Sequence, residues 1–111
     1  MTRYVPRKGD LVELSFRPDH GLEQQGRRPA LVVSNDLFQR ATGLCVVCPV
    51  TRTGRRHPFH VALPPGIGVD GIVMADQVRS VDARARGVRR LARAPDALRD
   101  EVLAIVDAML F

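Results

Sequence analysis

The sequence predicts a mainly β domain finished by one C-terminal helix, and three observations carry that expectation. Six or seven short apolar runs are separated by Gly, Pro, Asp and Asn turn signals, which is strand punctuation rather than helical periodicity. From Pro95 the period changes to that of an amphipathic helix. The chain has 111 residues, 45% of them apolar, which suits one domain with one modest core and argues against wholesale disorder. We therefore expect a single domain over residues 1–111, with the strands in 9–91 and the helix in 95–109. Short strands followed by one terminal helix make a small, strongly curved, partly closed barrel of α+β class.

Leu11–Phe16 alternates loosely and reads as the first strand, ended by Pro18 and the Asp19-His20-Gly21 turn. A polar Glu23-to-Arg28 loop follows, and Pro29 opens Ala30–Val33, a continuous apolar run suited to a strand buried on both faces. Ser34-Asn35-Asp36 caps a single short helical turn through Arg40, and Thr42-Gly43 resets the chain. Leu44–Val50 is the next strand, followed by the polar, basic loop from Thr51 to Arg56. Phe59–Leu63 is another, broken by Pro64-Pro65-Gly66; Gly71–Ala75, Gln77–Val81 and Arg89–Leu91 complete the sheet. Pro95 suits the first helical position, with Asp96 at the positive end of the helix dipole. Leu98, Val102, Ile105, Val106 and Met109 form one stripe, and Leu103, Ala104 and Leu110 lie off it as apolar surplus that suggests a second buried contact.

Charge narrows the partners. The net charge is +5, from 17 Lys and Arg against 12 Asp and Glu. The excess sits in residues 1–94, whereas 95–111 is acidic, and every cation but Lys8 is arginine. Arginine suits bidentate contacts to phosphates and bases better than lysine does. A basic body with an acidic end fits a polyanion on one surface. No apolar run approaches the roughly 20 residues of a membrane span, and the first residues lack a signal-peptide core. A cytoplasmic protein without membrane contact is expected.

Cys45, Cys48, His57 and His60 spell C-x2-C-x8-H-x2-H, which looks like a zinc site. Cys45 and Cys48 are an odd number of residues apart in a strand, so their side chains leave opposite faces and cannot chelate one ion. Buried, inert thiols are the better reading. His20 and His57 read as turn residues, and no set of His, Cys and carboxylate residues has ligand spacing along the chain, so neither metal nor cofactor is expected. The polar groups left at strand edges are Glu23 and Arg28 before one strand and Thr51 and Thr53 after the next. In a small curved sheet neighbouring rims converge, which brings Thr51 towards Arg28.

These residues stand in an order that resembles the MazF/PemK (PemK-like) toxins, the sequence-specific endoribonucleases called mRNA interferases. The matching islands are Gly9-Asp10, Phe16-x-Pro18, Glu23-Gln24-x-Gly26-x-Arg28-Pro29, Ser34, Thr42-Gly43, Pro49-x-Thr51, Pro58-Phe59 and Asp70-Gly71. They continue through Ala75-Asp76-Gln77-Val78-Arg79-Ser80 and Arg84-Ala85-Arg86-Gly87 into the closing helix. The resemblance implies an SH3-like barrel with a C-terminal helix, the PemK-like/CcdB-like toxin fold. It implies metal-independent cleavage of single-stranded mRNA, in which the ribose 2′-hydroxyl attacks the adjacent phosphate and leaves a 2′,3′-cyclic phosphate and a 5′-hydroxyl.

By the same resemblance Arg28 is the catalytic arginine, and its fork physically suits two oxygens of a phosphorane. Thr51 hydrogen-bonds a non-bridging oxygen, and Glu23 is the nearest carboxylate to accept the 2′ proton. Phe16 stacks an unpaired base, Gln77 and Ser80 read base edges, and Gln24, Arg27, Arg55, Arg56 and Arg79 complete the RNA contacts. The implied partners are an acidic MazE-like antitoxin and a second copy of the chain, with DNA binding only as the toxin–antitoxin complex. Two other readings stand beside it: a CcdB-type gyrase poison, and a non-catalytic RNA-binding barrel.

Overall fold

A computed structural model describes residues 3–16, 26–53 and 57–111. The described residues form seven strands: β1 (Asp10–Ser15), β2 (Arg27–Val32), β3 (Cys45–Thr51), β4 (His60–Ala62), β5 (Ile72–Met74), β6 (Arg79–Val81) and β7 (Arg89–Arg93). Helix α1 (Asp36–Thr42) separates β2 from β3, a 3-10 turn (Ala75–Gln77) separates β5 from β6, and α2 (Asp96–Leu110) ends the chain. All strand pairs are antiparallel, in the order β4-β5-β3-β2-β1-β7, with β6 also on β3. The mainly β domain with a terminal helix is thus present. Its sheet is not closed, because β4 and β7 are the two ends of the strand order and do not pair.

Continuous apolar runs gave β2 and β3 two buried faces, as alternation requires. Ala30 and Val32 join Val12, Leu14, Cys45, Val47, Val81 and Ala83 in one core cluster. Leu31 and Val33 join Leu11, Cys48, Val50, Val61, Val73, Leu98 and Val102 in the other. Leu11, Leu14 and Leu31 are fully buried, each worth about 1.5–3 kcal/mol relative to exposure. The second cluster is roofed by α2, where Leu103, Ile105 and Val106 pack against it. Leu103, expected off the helical stripe, therefore belongs to the core contact, while Leu110 and Phe111 are exposed.

Local boundaries shift for identifiable reasons. β2 starts at Arg27, so Arg28 is a strand residue opposite Leu14 rather than part of a preceding loop. Pro29 is tolerated because β2 at that point pairs with Glu13 of β1, while its ladder to β3 begins at Ala30. Helix α1 runs seven residues, two more than the short turn expected. Asn35 caps it by accepting the Phe38 N–H at 2.9 Å, and Gly43 (φ 73°) ends it in the left-handed region. Pro95 is the N-cap of α2, one residue before the helix, with no side-chain cap.

Asp10 is the buried polar residue that joins the N-terminal segment to β7. It accepts hydrogen bonds from the Tyr4 hydroxyl, from the Arg7 backbone N–H at 3.1 Å and from Arg93 Nη1 at 3.1 Å. Desolvation and the neighbouring carboxylate push the Tyr4 phenol well above its ordinary pKa.

Candidate functional site

The first core cluster thins out at one end of the sheet, where the strand faces turn polar. There Phe16 (after β1), Gly26 and Arg28 (β2), Pro49 (β3), Met74 (β5), Gln77 (the 3-10 turn) and Arg79 (β6) line an open cleft of about 340 Å³. Parity explains the set. Arg28 lies two residues from Ala30, Pro49 two from Val47 and Arg79 two from Val81, so all three project on the face that buries those residues. The Arg79 guanidinium sits over the Phe16 ring, 5.4 Å from its centroid, a cation–π contact that holds both at the mouth. Among the described residues lining the cleft there is no carboxylate or imidazole. Two guanidinium groups, an amide and an aromatic ring suit phosphates and unpaired bases.

Thr51 ends β3 on the same face as Pro49, and the β2–β3 ladder runs from Ala30–Pro49 to Val32–Val47. Continued two residues outward, that register aligns Arg28 with Thr51. The Thr51 hydroxyl donates to the Thr53 carbonyl at 2.7 Å and accepts the Thr53 N–H at 3.2 Å. Gly71 lets this edge form. Its φ is 140°, and a Cβ there would lie 2.7 Å from the Thr51 carbonyl oxygen.

The structure separates other sequence candidates from the cleft. Arg27, next to Arg28 but of opposite parity, donates to Glu13 Oε1 at 3.1 Å and to the Gly87 carbonyl at 2.6 Å, with its side chain 10% exposed. It is tied into the β1–β2 face away from the cleft. Ser80 alternates with Arg79 and faces away from the cleft lining. Glu23, Gln24, Arg55 and Arg56 lie outside the described residues, as does His20. The lining residues not anticipated were Gly26, Pro49 and Met74; Met74 carries no sequence signal beyond its place in an apolar strand. A mostly apolar groove of about 370 Å³ beneath Tyr4–Pro6 and against Leu44, Ala83 and Val88 contains none of the candidates.

Cys45 and Cys48 fall in opposite core clusters, which is the geometry expected of thiols that do not chelate together. Burial pushes Cys48 up to about 12, with Asp76 adding to the shift, and raises Cys45. The expectation that no ligand set exists needs correction. His57, His60 and Asp76 bring their donor atoms within 4.8 Å of one another. Spacing along the chain revealed the two histidines, whereas Asp76 arrives only through the β4–β5 pairing, which sets His60 against Met74.

This fold and cleft define a small β domain with an arginine-lined, anion-binding site. Residues 7–110 match the model of the PemK-like, MazF-like toxins of type II toxin–antitoxin systems, and the chain belongs to that family. It is 43% identical to the endoribonuclease toxin MazF of Escherichia coli (strain K12) over 90 residues, which cover 81% of this chain and 80% of the relative. The crystal structure of MazF from Deinococcus radiodurans superposes with a TM-score of 0.86 at 46% identity, covering 97% of this chain and 98% of that one. A MazE–MazF complex from the same organism matches with a TM-score of 0.84 at 42% identity, covering 97% of each chain.

Proposed function

We propose that this chain is an endoribonuclease toxin, an mRNA interferase that cuts single-stranded RNA without a metal or cofactor and is neutralised by an acidic antitoxin. The observation that carries the reading is the cleft itself: Phe16, Arg28, Gln77 and Arg79 converge from four separate segments in a chain of this family. A splayed base stacks at Phe16, Gln77 meets a base edge, and Arg79 neutralises a phosphate. The scissile phosphate lies at Arg28, whose fork holds two non-bridging oxygens as charge builds on the phosphorane. Thr51 supplies a further hydrogen bond at the rim.

The ribose 2′-hydroxyl attacks the phosphorus as its proton leaves, the bond to the 5′-oxygen breaks, and that oxygen is protonated. The products are a 2′,3′-cyclic phosphate and a 5′-hydroxyl. Arginine hardly deprotonates, so its role is charge stabilisation. Glu23 is the carboxylate we assign to the 2′ proton. The working species is a two-fold dimer, supported by the apolar end of α2, where Leu110 is 62% and Phe111 98% exposed. The antitoxin's acidic segment competes with RNA for the basic cleft, and DNA is bound only by the toxin–antitoxin complex. Among the described residues no helix is long and apolar enough to cross a membrane; with mRNA as substrate, we place the protein in the cytoplasm. Membership of this family disfavours the gyrase-poison reading.

The test is incubation of the purified chain with 5′-labelled single-stranded RNA in excess EDTA. Discrete fragments ending in 2′,3′-cyclic phosphate support the reading. Intact RNA in the presence of folded protein, or cleavage that stops on chelation and returns with magnesium, overturns it.

A further inference from the structure

Beside the RNA cleft, metal-ligating side chains converge where β4 meets the 3-10 turn. His57 and His60 flank the Pro58-Phe59 turn, and their rings lie 3.4 Å apart between centroids, tilted by 37°. Asp76 faces both, with Oδ1 3.2 Å from His60 Nε2 and Oδ2 4.0 Å from His57 Nε2. The two histidines also line a cavity of about 400 Å³ with Glu101 of α2. We propose that His57, His60 and Asp76 form a binding site for a borderline divalent transition-metal ion, for which zinc is the probe.

Donor chemistry and spacing carry the assignment. Two imidazoles and one carboxylate favour zinc, cobalt or nickel over magnesium or calcium, which take oxygen donors. Ligand atoms of a tetrahedral zinc site with bonds of roughly 2.0–2.1 Å stand roughly 3.4 Å apart. His60 Nε2 and Asp76 Oδ1, 3.2 Å apart, stand close to that separation, whereas His57 Nε2 is 4.0 Å from the other oxygen and closes in on binding. Hydrogen bonding alone accounts for half of the arrangement: His60 meets Asp76 at normal length, whereas the His57 contact is too long for one. One ion between the three groups satisfies both rings, and its fourth position is open to water.

The cost is local. His57 Nδ1 accepts the Phe59 N–H at 3.2 Å, which requires the proton on Nε2. Metal at Nε2 moves the proton to Nδ1, so that bond is given up, Nδ1–H faces solvent, and the exposed ring swings off its stack on His60 to point Nε2 at the ion. His60 is the anchored ligand, with its side chain 8% exposed. The ion takes no part in RNA cleavage. It ties His57 to the 3-10 turn that also carries Gln77, and so fixes one side of the cleft.

The test uses the full chain, stripped with chelator and dialysed, then titrated with zinc by calorimetry and with cobalt by absorption. One ion per chain, a tetrahedral cobalt spectrum and a zinc-dependent rise in Tm are expected. His57→Ala alters an exposed ring and leaves the fold standing; Asp76→Asn keeps the shape of the carboxylate. Each should weaken zinc binding by about tenfold or more and cancel the Tm rise, with the metal-free Tm of His57→Ala unchanged. No saturable zinc uptake in the micromolar range, or uptake of equal affinity in both variants, overturns the site.

Discussion

Adjacent arginines on one strand should give opposite phenotypes when each is replaced by alanine. Arg28 projects into the cleft, and the residues that bury β2 are Ala30, Leu31 and Val32, so Arg28→Ala should leave Tm close to wild type. Losing a preorganised charged donor to a developing oxyanion lowers the rate roughly 100- to 1000-fold, about 2.7–4 kcal/mol. Arg28→Lys should also be poor, because a point charge cannot reproduce a planar fork. Arg27 instead bridges Glu13 and the Gly87 carbonyl at 3.1 and 2.6 Å. Charged hydrogen bonds of this kind contribute about 1.5–3 kcal/mol each. Glu13 keeps Arg89 at 3.0 Å, which offsets part of the loss, so Arg27→Ala should cost about 2 kcal/mol and lower Tm by roughly 5–10 °C. The rate per folded molecule should stay near wild type. Thermal unfolding and single-turnover cleavage of labelled RNA, on both variants, decide the matter. Wild-type cleavage by Arg28→Ala, or a catalytic defect in Arg27→Ala without loss of stability, would refute the face assignment.

Asp10→Ala should destabilise the fold by about 1.5–3 kcal/mol, since the Tyr4 hydroxyl, the Arg7 N–H and Arg93 all lose their acceptor while the half-exposed Arg93 keeps the Lys8 carbonyl; a chemical-denaturation midpoint equal to wild type would count against this. Gly71→Ala should lower both Tm and cleavage, because the new Cβ drives into the Thr51 carbonyl; unchanged activity would show that the Thr51 edge is dispensable. The raised thiols make the protein alkali-sensitive. Cys48 titrates near 12 when folded against 9.0 ordinarily, so the unfolded chain loses its proton first. The stabilisation is complete below about pH 9 and is lost as pH rises towards 12. A flat Tm across that window in the wild type, or an equal decline in Cys48→Ala, would contradict it.

The terminal helix, the strands and their buried faces were legible because they rest on local patterns. The Ala30–Val33 and Leu44–Val50 runs could only be strands covered on both sides, and the Pro95 boundary with its helical stripe marked α2. The same parity argument separated Cys45 from Cys48. Arg28 and Thr51 were legible as polar residues where one apolar strand begins and the next one ends, and the family order drew attention to them. Tertiary structure decided what parity and pairing do across strands. It turned Arg27 and Ser80 away from the cleft, although each neighbours a residue that faces it, because one step along a strand reverses the side chain. It brought Met74 and Gln77 beside Phe16 and Arg28, and it left the sheet open between β4 and β7. It also delivered Asp76 to His57 and His60, a meeting set by the β4–β5 pairing. Sequence records which side chains share a face of one element; which elements then meet depends on register and non-local packing, and the cleft and the histidine cluster are both products of that second step.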